Sequence, residues 1–243
     1  MTHSIALILG VGAGEGIGGA LCLRAANAGY HVVAVGRTRK KLDALVTRIR
    51  AIGGSAECKV ADLSDAGSIK DLFQSIDSLD GSLNFVVYNA GNSFRHTTAD
   101  MPNNFFEEAW RICCFGGFVA GRAAANRMAL KSEGTILFTG ATASVKSRPP
   151  FIAFAAAKAG LRATAAGLAR EYGPNGVHIA HVIIDGGVEG AIRRKRLPKG
   201  EDSAGRNELL SPSAIAEAYW QLHLQHPSAW SFEIDLRPFN EVF

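Results

Sequence analysis

The chain is short of the residues and runs that mark several large functional classes. No stretch reaches 18 apolar residues without a polar interruption, which argues against a membrane span. The start carries no basic region and no small-residue cleavage site, and its apolar run dissolves into glycines, so no signal peptide is expected and the cytoplasm is the default location. Cysteine is scarce: Cys22, Cys58, Cys113 and Cys114 show no C-x-x-C spacing, and an adjacent pair does not bridge without strain. They read as reduced small hydrophobes. The seven histidines include no H-E-x-x-H arrangement, so no metal site is expected. No Gly-Lys-Ser/Thr is present, and a phosphate-loop NTPase would lack both its charge and its magnesium hydroxyl.

What is present begins with Ile5 to Gly18, where an apolar run breaks into five glycines at two-residue spacing and resumes at Ile17. Ile5–Leu9 reads as a buried parallel strand, Gly10–Gly16 as a turn, and Ile17–Ala28 as a helix. Glycines let the backbone approach a bulky anion, and the helix N-terminus offers unpaired N–H groups with a partial positive charge. The arrangement suits the pyrophosphate of a dinucleotide, although such turns also serve packing alone.

The pattern then alternates. Strands are expected at 31–35, 56–60, 83–88, 134–139, 177–184 and 229–236. Helices are expected at 39–52, 64–79, 105–130, 151–172 and 212–225, the last with Ser211 as N-cap. The fold class is α/β: a Rossmann-like doubly wound parallel sheet of about seven strands in three α/β/α layers. At 243 residues and 47% hydrophobic, one domain over 1–243 is expected, with a small substrate-lobe insertion at about 189–211.

The second strand ends at Arg37, where a dinucleotide-binding fold that uses NAD carries Asp or Glu against the ribose hydroxyls. Arginine instead offers a bidentate partner to a 2′-phosphate, which argues for NADP; Arg39, Lys40 and Lys41 back it, or simply open an exposed helix. Asp62 can accept from the adenine amino group or cap the next helix, with Asp65 competing for the cap. Asn89-Ala90-Gly91 closes the fourth strand with small residues that permit close approach to a cofactor. The net charge is +4, and the one basic cluster, Arg193, Arg194, Lys195 and Arg196, has no aromatic interleaving, so nucleic acid is not an expected partner.

The glycine turn, the Asn-Ala-Gly and Lys158 in the long helix after strand five occur in the order found in the short-chain dehydrogenase/reductase family, which the chain resembles over nearly its whole length. That resemblance implies that Gly12, Gly16, Ile17, Arg37, Asp62, Leu63, Asn89, Ala90, Gly91 and Lys158 hold the cofactor. It also implies a tyrosine four residues before the lysine as proton donor, a serine on the loop after strand five, and an asparagine in the helix after strand four. Those positions here are Phe154, Ala141 and Cys113; a divergent branch has its tyrosine seven before the lysine, and that residue is Phe151. The Pro-Gly after strand six becomes Asp185-Gly186.

The expectation is therefore an atypical NADP-dependent oxidoreductase acting on a small carbonyl or alcohol, or else a catalytically inactive NADP-binding sensor or scaffold. Lys158, Ser144, Thr142, His96 and Asp185 are the candidates to replace the missing proton donor and carbonyl ligand. The small-residue-rich helices expected at 105–130 and 151–172 match those through which the resembling family pairs its subunits, which implies a homodimer or homotetramer; burial within one subunit is the competing explanation.

Overall fold

The computed structural model describes residues 3–12, 14–91, 93–190 and 209–241. Seven strands form one parallel sheet in the order β3-β2-β1-β4-β5-β6-β7: β1 Ser4–Leu9, β2 His31–Gly36, β3 Ser55–Val60, β4 Ser82–Tyr88, β5 Thr135–Thr139, β6 His178–Ile184 and β7 Glu233–Leu236. The helices are α1 Ile17–Asn27, α2 Arg39–Ala51, α3 Ala66–Asp77, α4 Asn103–Trp110, α5 Gly116–Ala129, α6 Ile152–Tyr172 and α7 Pro212–His223. The strand order reverses between β1 and β4, which opens a crevice at their carboxyl ends, the place where open α/β sheets bind ligands.

Strand periodicity divides the core in two. Ile5, Leu7 and Leu9 of β1 join Ile69, Leu72, Phe73 and Ile76 of α3, together with α5 and α6, on one face. Ala6 and Ile8 join Leu21 and Cys22 of α1, Leu42 and Leu45 of α2, and Tyr219 and Trp220 of α7 on the other. Because both faces are covered, the central strands read as near-continuous apolar runs.

The expected long helix over 105–130 is three pieces. Between α4 and α5, residues Arg111–Phe115 form a π-helical turn. Tyr88, wholly buried, donates its hydroxyl proton to Ile112 O at 2.6 Å. The mid-helix glycines of α5 are there for contact within the subunit. A Cβ on Gly116 would lie 1.9 Å from Leu63 O, one on Gly117 2.4 Å from Leu161 Cδ1, and one on Gly121 2.6 Å from Phe138 Cζ. The small residues therefore let α5 settle onto the sheet and α6. They are not free for a neighbouring subunit.

Two capping expectations resolve differently. Asp65 caps α3, accepting from Ser68 N at 2.7 Å, a contact of about 1 kcal/mol, while Asp62 accepts from the nitrogen and hydroxyl of Ser64. Ser211 stands at the N-cap of α7 without capping it, and its hydroxyl pairs with Ser213 Oγ at 2.9 Å. The final strand is shorter than expected because Pro227–Ala229 forms a 3-10 turn. Of the insertion expected at about 189–211, only the stem is described: Glu189 N donates to Leu210 O, and Leu210 N to Gly187 O. Residues 191–208, with the basic cluster, lie outside the described residues.

Candidate active site

The glycine turn is built against β4. Gly10 has φ +92°, and a Cβ there would lie 2.4 Å from Ala90 N, so only glycine fits. Asn89 donates from Nδ2 to Gly10 O at 3.0 Å and from its backbone to Leu9 O, tying the end of β4 to the turn after β1. Gly36 at the end of β2 is equally crowded, its virtual Cβ 2.2 Å from Val11 O. The outer side of the turn is open: a Cβ on Gly12 would meet no described atom within 4 Å. Helix α1 begins after Gly16 with no side-chain cap and no acidic residue in its first turn. Its first N–H groups are thus left for an anion, and the cradle fits a pyrophosphate.

Arg37 is exposed and makes no ion pair among the described residues. Arg39, expected to back it, is instead held by Asp43, with Nε 2.8 and 3.0 Å from the two carboxylate oxygens. Asp62 is exposed and Leu63 buried. The Asp62 carboxyl is held below its usual range by hydrogen bonds from the Ser64 hydroxyl and backbone, with a smaller contribution from Arg37.

Lys158 lies inside the protein, 4% exposed. Its Nζ donates to Thr139 O at 2.7 Å and sits 5.7 Å from the centre of the Phe154 ring, one helical turn earlier on the same face of α6. Desolvation lowers its pKa, and the neighbouring Cys113 opposes that shift weakly. Gly91 packs against both: a Cβ there would be 2.9 Å from Cys113 Sγ and 3.6 Å from Lys158 Nζ. Gly91, Cys113, Phe154 and Lys158 thus meet at one point. An aromatic ring lies over the ammonium, and that ring carries no hydroxyl.

The remaining candidates separate into groups. Thr142 donates to Asp185 Oδ1 at 2.5 Å, and Asp185, buried, also faces Arg237 at 3.4 Å. Ser144, buried at the end of the turn after β5, accepts from Ala141 N at 3.1 Å and pairs with His181 Nε2 at 3.3 Å. His96 joins none of these contacts. Its backbone N donates to Pro150 O, its Nδ1 pairs with Thr97 O, and its ring rests 5.3 Å from that of Phe105.

Sequence reasoning missed His181 and Glu233. They are register partners across β6 and β7, with His181 Nδ1 2.9 Å from Glu233 Oε2. Arg162 clamps the same carboxylate at 2.6 and 2.7 Å. Burial pushes the His181 imidazole down to about 4, against the opposing hydrogen bond that its Nδ1 donates to Glu233, and the charges of Lys158 and Arg162 add to the depression. The available signal was His181 amid the apolar interior of the strand that His178 opens, H-I-A-H-V-I-I. Among the described residues no group of three or more His, Cys, Asp or Glu is placed to hold a metal, and no helix is long and apolar enough to cross a membrane.

The family model for short chain dehydrogenase matches residues 5–200. The chain belongs to the short-chain dehydrogenase family. Among solved structures, this family member resembles a short-chain dehydrogenase from Rhodopseudomonas palustris at 33% identity and a TM-score of 0.84, covering 97% of this chain and 99% of that one. A metagenomic short-chain oxidoreductase in complex with NADP shares the fold at 23% identity and a TM-score of 0.81, covering 98% of both chains. A fatty acyl-CoA reductase of Acinetobacter baylyi is 29% identical over 182 residues, 74% of this chain and 61% of that protein. The match therefore spans about three fifths of that curated relative.

Proposed function

We propose that this short-chain dehydrogenase family member is an NADP-dependent oxidoreductase acting on an unidentified small carbonyl or alcohol through a non-standard proton-transfer site. The observation that carries the proposal is the cradle: an uncapped α1 behind an open glycine turn, with exposed Arg37 at the end of β2. Gly12, Gly16 and Ile17 would face the pyrophosphate, Arg37 the 2′-phosphate, Asp62 and Leu63 the adenine side, and Asn89, Ala90, Gly91 and Lys158 the nicotinamide side. Bound there, the cofactor would supply or accept a hydride. Phe151 and Phe154 would give the substrate an apolar wall, which favours hydrophobic carbonyls or alcohols.

One specific observation favours a second reading, an inactive NADP-binding sensor or scaffold. Where the resembling family carries a phenol above the lysine, Phe154 offers a ring face and no proton. Steady-state NADPH oxidation against a broad panel of carbonyl compounds discriminates the two. Turnover of any member supports the enzyme; tight NADPH binding with no turnover across the panel would establish the sensor.

As a soluble cytoplasmic protein the chain would pair through α4, α5 and α6 into a homodimer or homotetramer. The support for that contact is the set of large apolar residues these helices leave exposed, Phe106, Trp110, Phe118 and Ile152. Sedimentation equilibrium tests it, and a monomer at micromolar concentration would contradict it.

A further inference from the structure

We infer that Ser144, His181 and Glu233 form a proton-handling triad that takes over the role of the absent tyrosine, with Ser144 Oγ meeting the substrate oxygen and His181 Nε2 acting as its base. The inference rests on the oxidoreductase reading above and deepens it. Three observations carry it. First, the chain is connected in the required order: Ser144 Oγ to His181 Nε2 at 3.3 Å, and His181 Nδ1 to Glu233 Oε2 at 2.9 Å. Facing a carboxylate, Nδ1 carries the ring proton, and Nε2 is left as the acceptor for the serine hydroxyl. Second, the hydroxyl is near the position the resemblance points to. It accepts from the backbone nitrogen of Ala141, the residue at which the resembling family has its serine, so the tight turn over 142–144 brings Ser144 Oγ beside that residue.

Third, the surroundings are built for the histidine. Gly140 makes room for it, since a Cβ there would lie 2.3 Å from His181 Nε2. Glu233 is held ionised by Arg162, whose hydrogen bonds keep the carboxyl below its usual range. The charged groups that bear on the ring are thus Glu233 on β7, and Lys158 and Arg162 on α6. A carboxylate that stays ionised fixes the ring and stabilises an imidazolium without itself taking the proton.

For an alcohol substrate the balance is as follows. An oxidised nicotinamide held in the cradle would accept the carbinol hydrogen as hydride. The hydroxyl proton passes to Ser144 Oγ as the proton of Ser144 passes to His181 Nε2, and the carbon–oxygen double bond forms. Carbonyl reduction runs through the same groups in reverse.

The test needs no substrate. The full chain is treated at neutral pH with phenylmethanesulfonyl fluoride, and adducts are located by mass spectrometry. Ser144 Oγ forms the bond to sulfur, fluoride leaves, and the proton goes to His181. NADPH binding is followed by fluorescence on the same samples. The expected result is one adduct on Ser144, slowed at least about tenfold in His181→Asn. Glu233→Gln keeps the packing at β7 and decides the matter should His181→Asn fail to fold; it is expected to slow labelling at least about threefold. A merely structural histidine would leave Ser144 an ordinary unreactive serine. NADPH binding without labelling of Ser144, or labelling at an unchanged rate in both variants, overturns the triad and leaves the cofactor reading standing. Labelling without NADPH binding overturns the oxidoreductase reading, and the triad's part in hydride transfer falls with it.

Discussion

Acidification is expected to destabilise this protein before most of its carboxylates titrate, because desolvation holds three histidines in their neutral form, the buried His178 and His181 and the half-buried His223. His181 and His223 are each pushed from an ordinary 6.5 down to about 4, in both cases chiefly by desolvation. His223 is held between Tyr30 OH and Thr135 Oγ1, among the rings of Phe85 and Trp220. Between pH 6.5 and 4 the unfolded chain binds a proton at each site and the folded chain does not, so stability falls as pH falls. The slope is about 1.4 kcal/mol per pH unit per histidine, and for His181 and His223 the loss reaches about 3 kcal/mol each by pH 4 and stops growing below it, once the folded state is protonated too. Against a typical total of about 5–15 kcal/mol, the pair removes a large share. Urea unfolding followed by circular dichroism at half-unit steps from pH 7 to 4 reads this directly. His223→Gln should lower the slope by about 1.4 kcal/mol per pH unit over that window, leaving the contributions of His181 and His178. Stability that stays flat from pH 7 to 4.5, or a slope indifferent to His223→Gln, would refute the reasoning.

Gly10→Ala should cost more than about 3 kcal/mol, since it forces a side chain at φ +92° into Ala90 N at 2.4 Å; thermal denaturation measures it, and a loss under 1 kcal/mol would contradict the packing argument. Tyr88→Phe leaves Ile112 O in the π-helical turn without its hydroxyl partner, so a loss of about 1–3 kcal/mol is expected in the same assay. Lys158→Met replaces a buried ammonium whose one hydrogen bond among the described residues is to Thr139 O. Its melting temperature should be unchanged or higher, while NADPH affinity falls about tenfold by fluorescence titration.

The parts of this molecule that depend on neighbours along the chain were legible from the residues. The strand and helix alternation and the glycine turn follow from local periodicity and chemistry, while the cap of α3 was open between Asp62 and Asp65 until Ser68 N was seen on Asp65. What was not legible depends on register between distant residues. His181 and Glu233 lie 52 positions apart and meet only because β6 and β7 align them. Cys113 and Gly91 converge on Lys158 because Arg111–Phe115 widens into a π-helical turn, which no sequence period announces. The small residues of α5 allowed two readings, contact between subunits or within one. Atoms of Leu63, Leu161 and Phe138 decide for the second. The hydroxyl of Ser211 turned to Ser213 Oγ and not to the backbone of α7.

The proposed function stands on the open glycine turn, the uncapped α1 and exposed Arg37, at a site where the Phe154 ring lies over Lys158. Isothermal titration of the folded protein with NADPH and NADH tests it most directly. The account predicts binding at micromolar concentration or tighter for NADPH, weaker binding of NADH, and an Arg37→Glu variant in which that preference is lost through a fall of about 10–100-fold in NADPH affinity. Absence of heat with either nucleotide, or a preference for NADPH that survives Arg37→Glu intact, would contradict it.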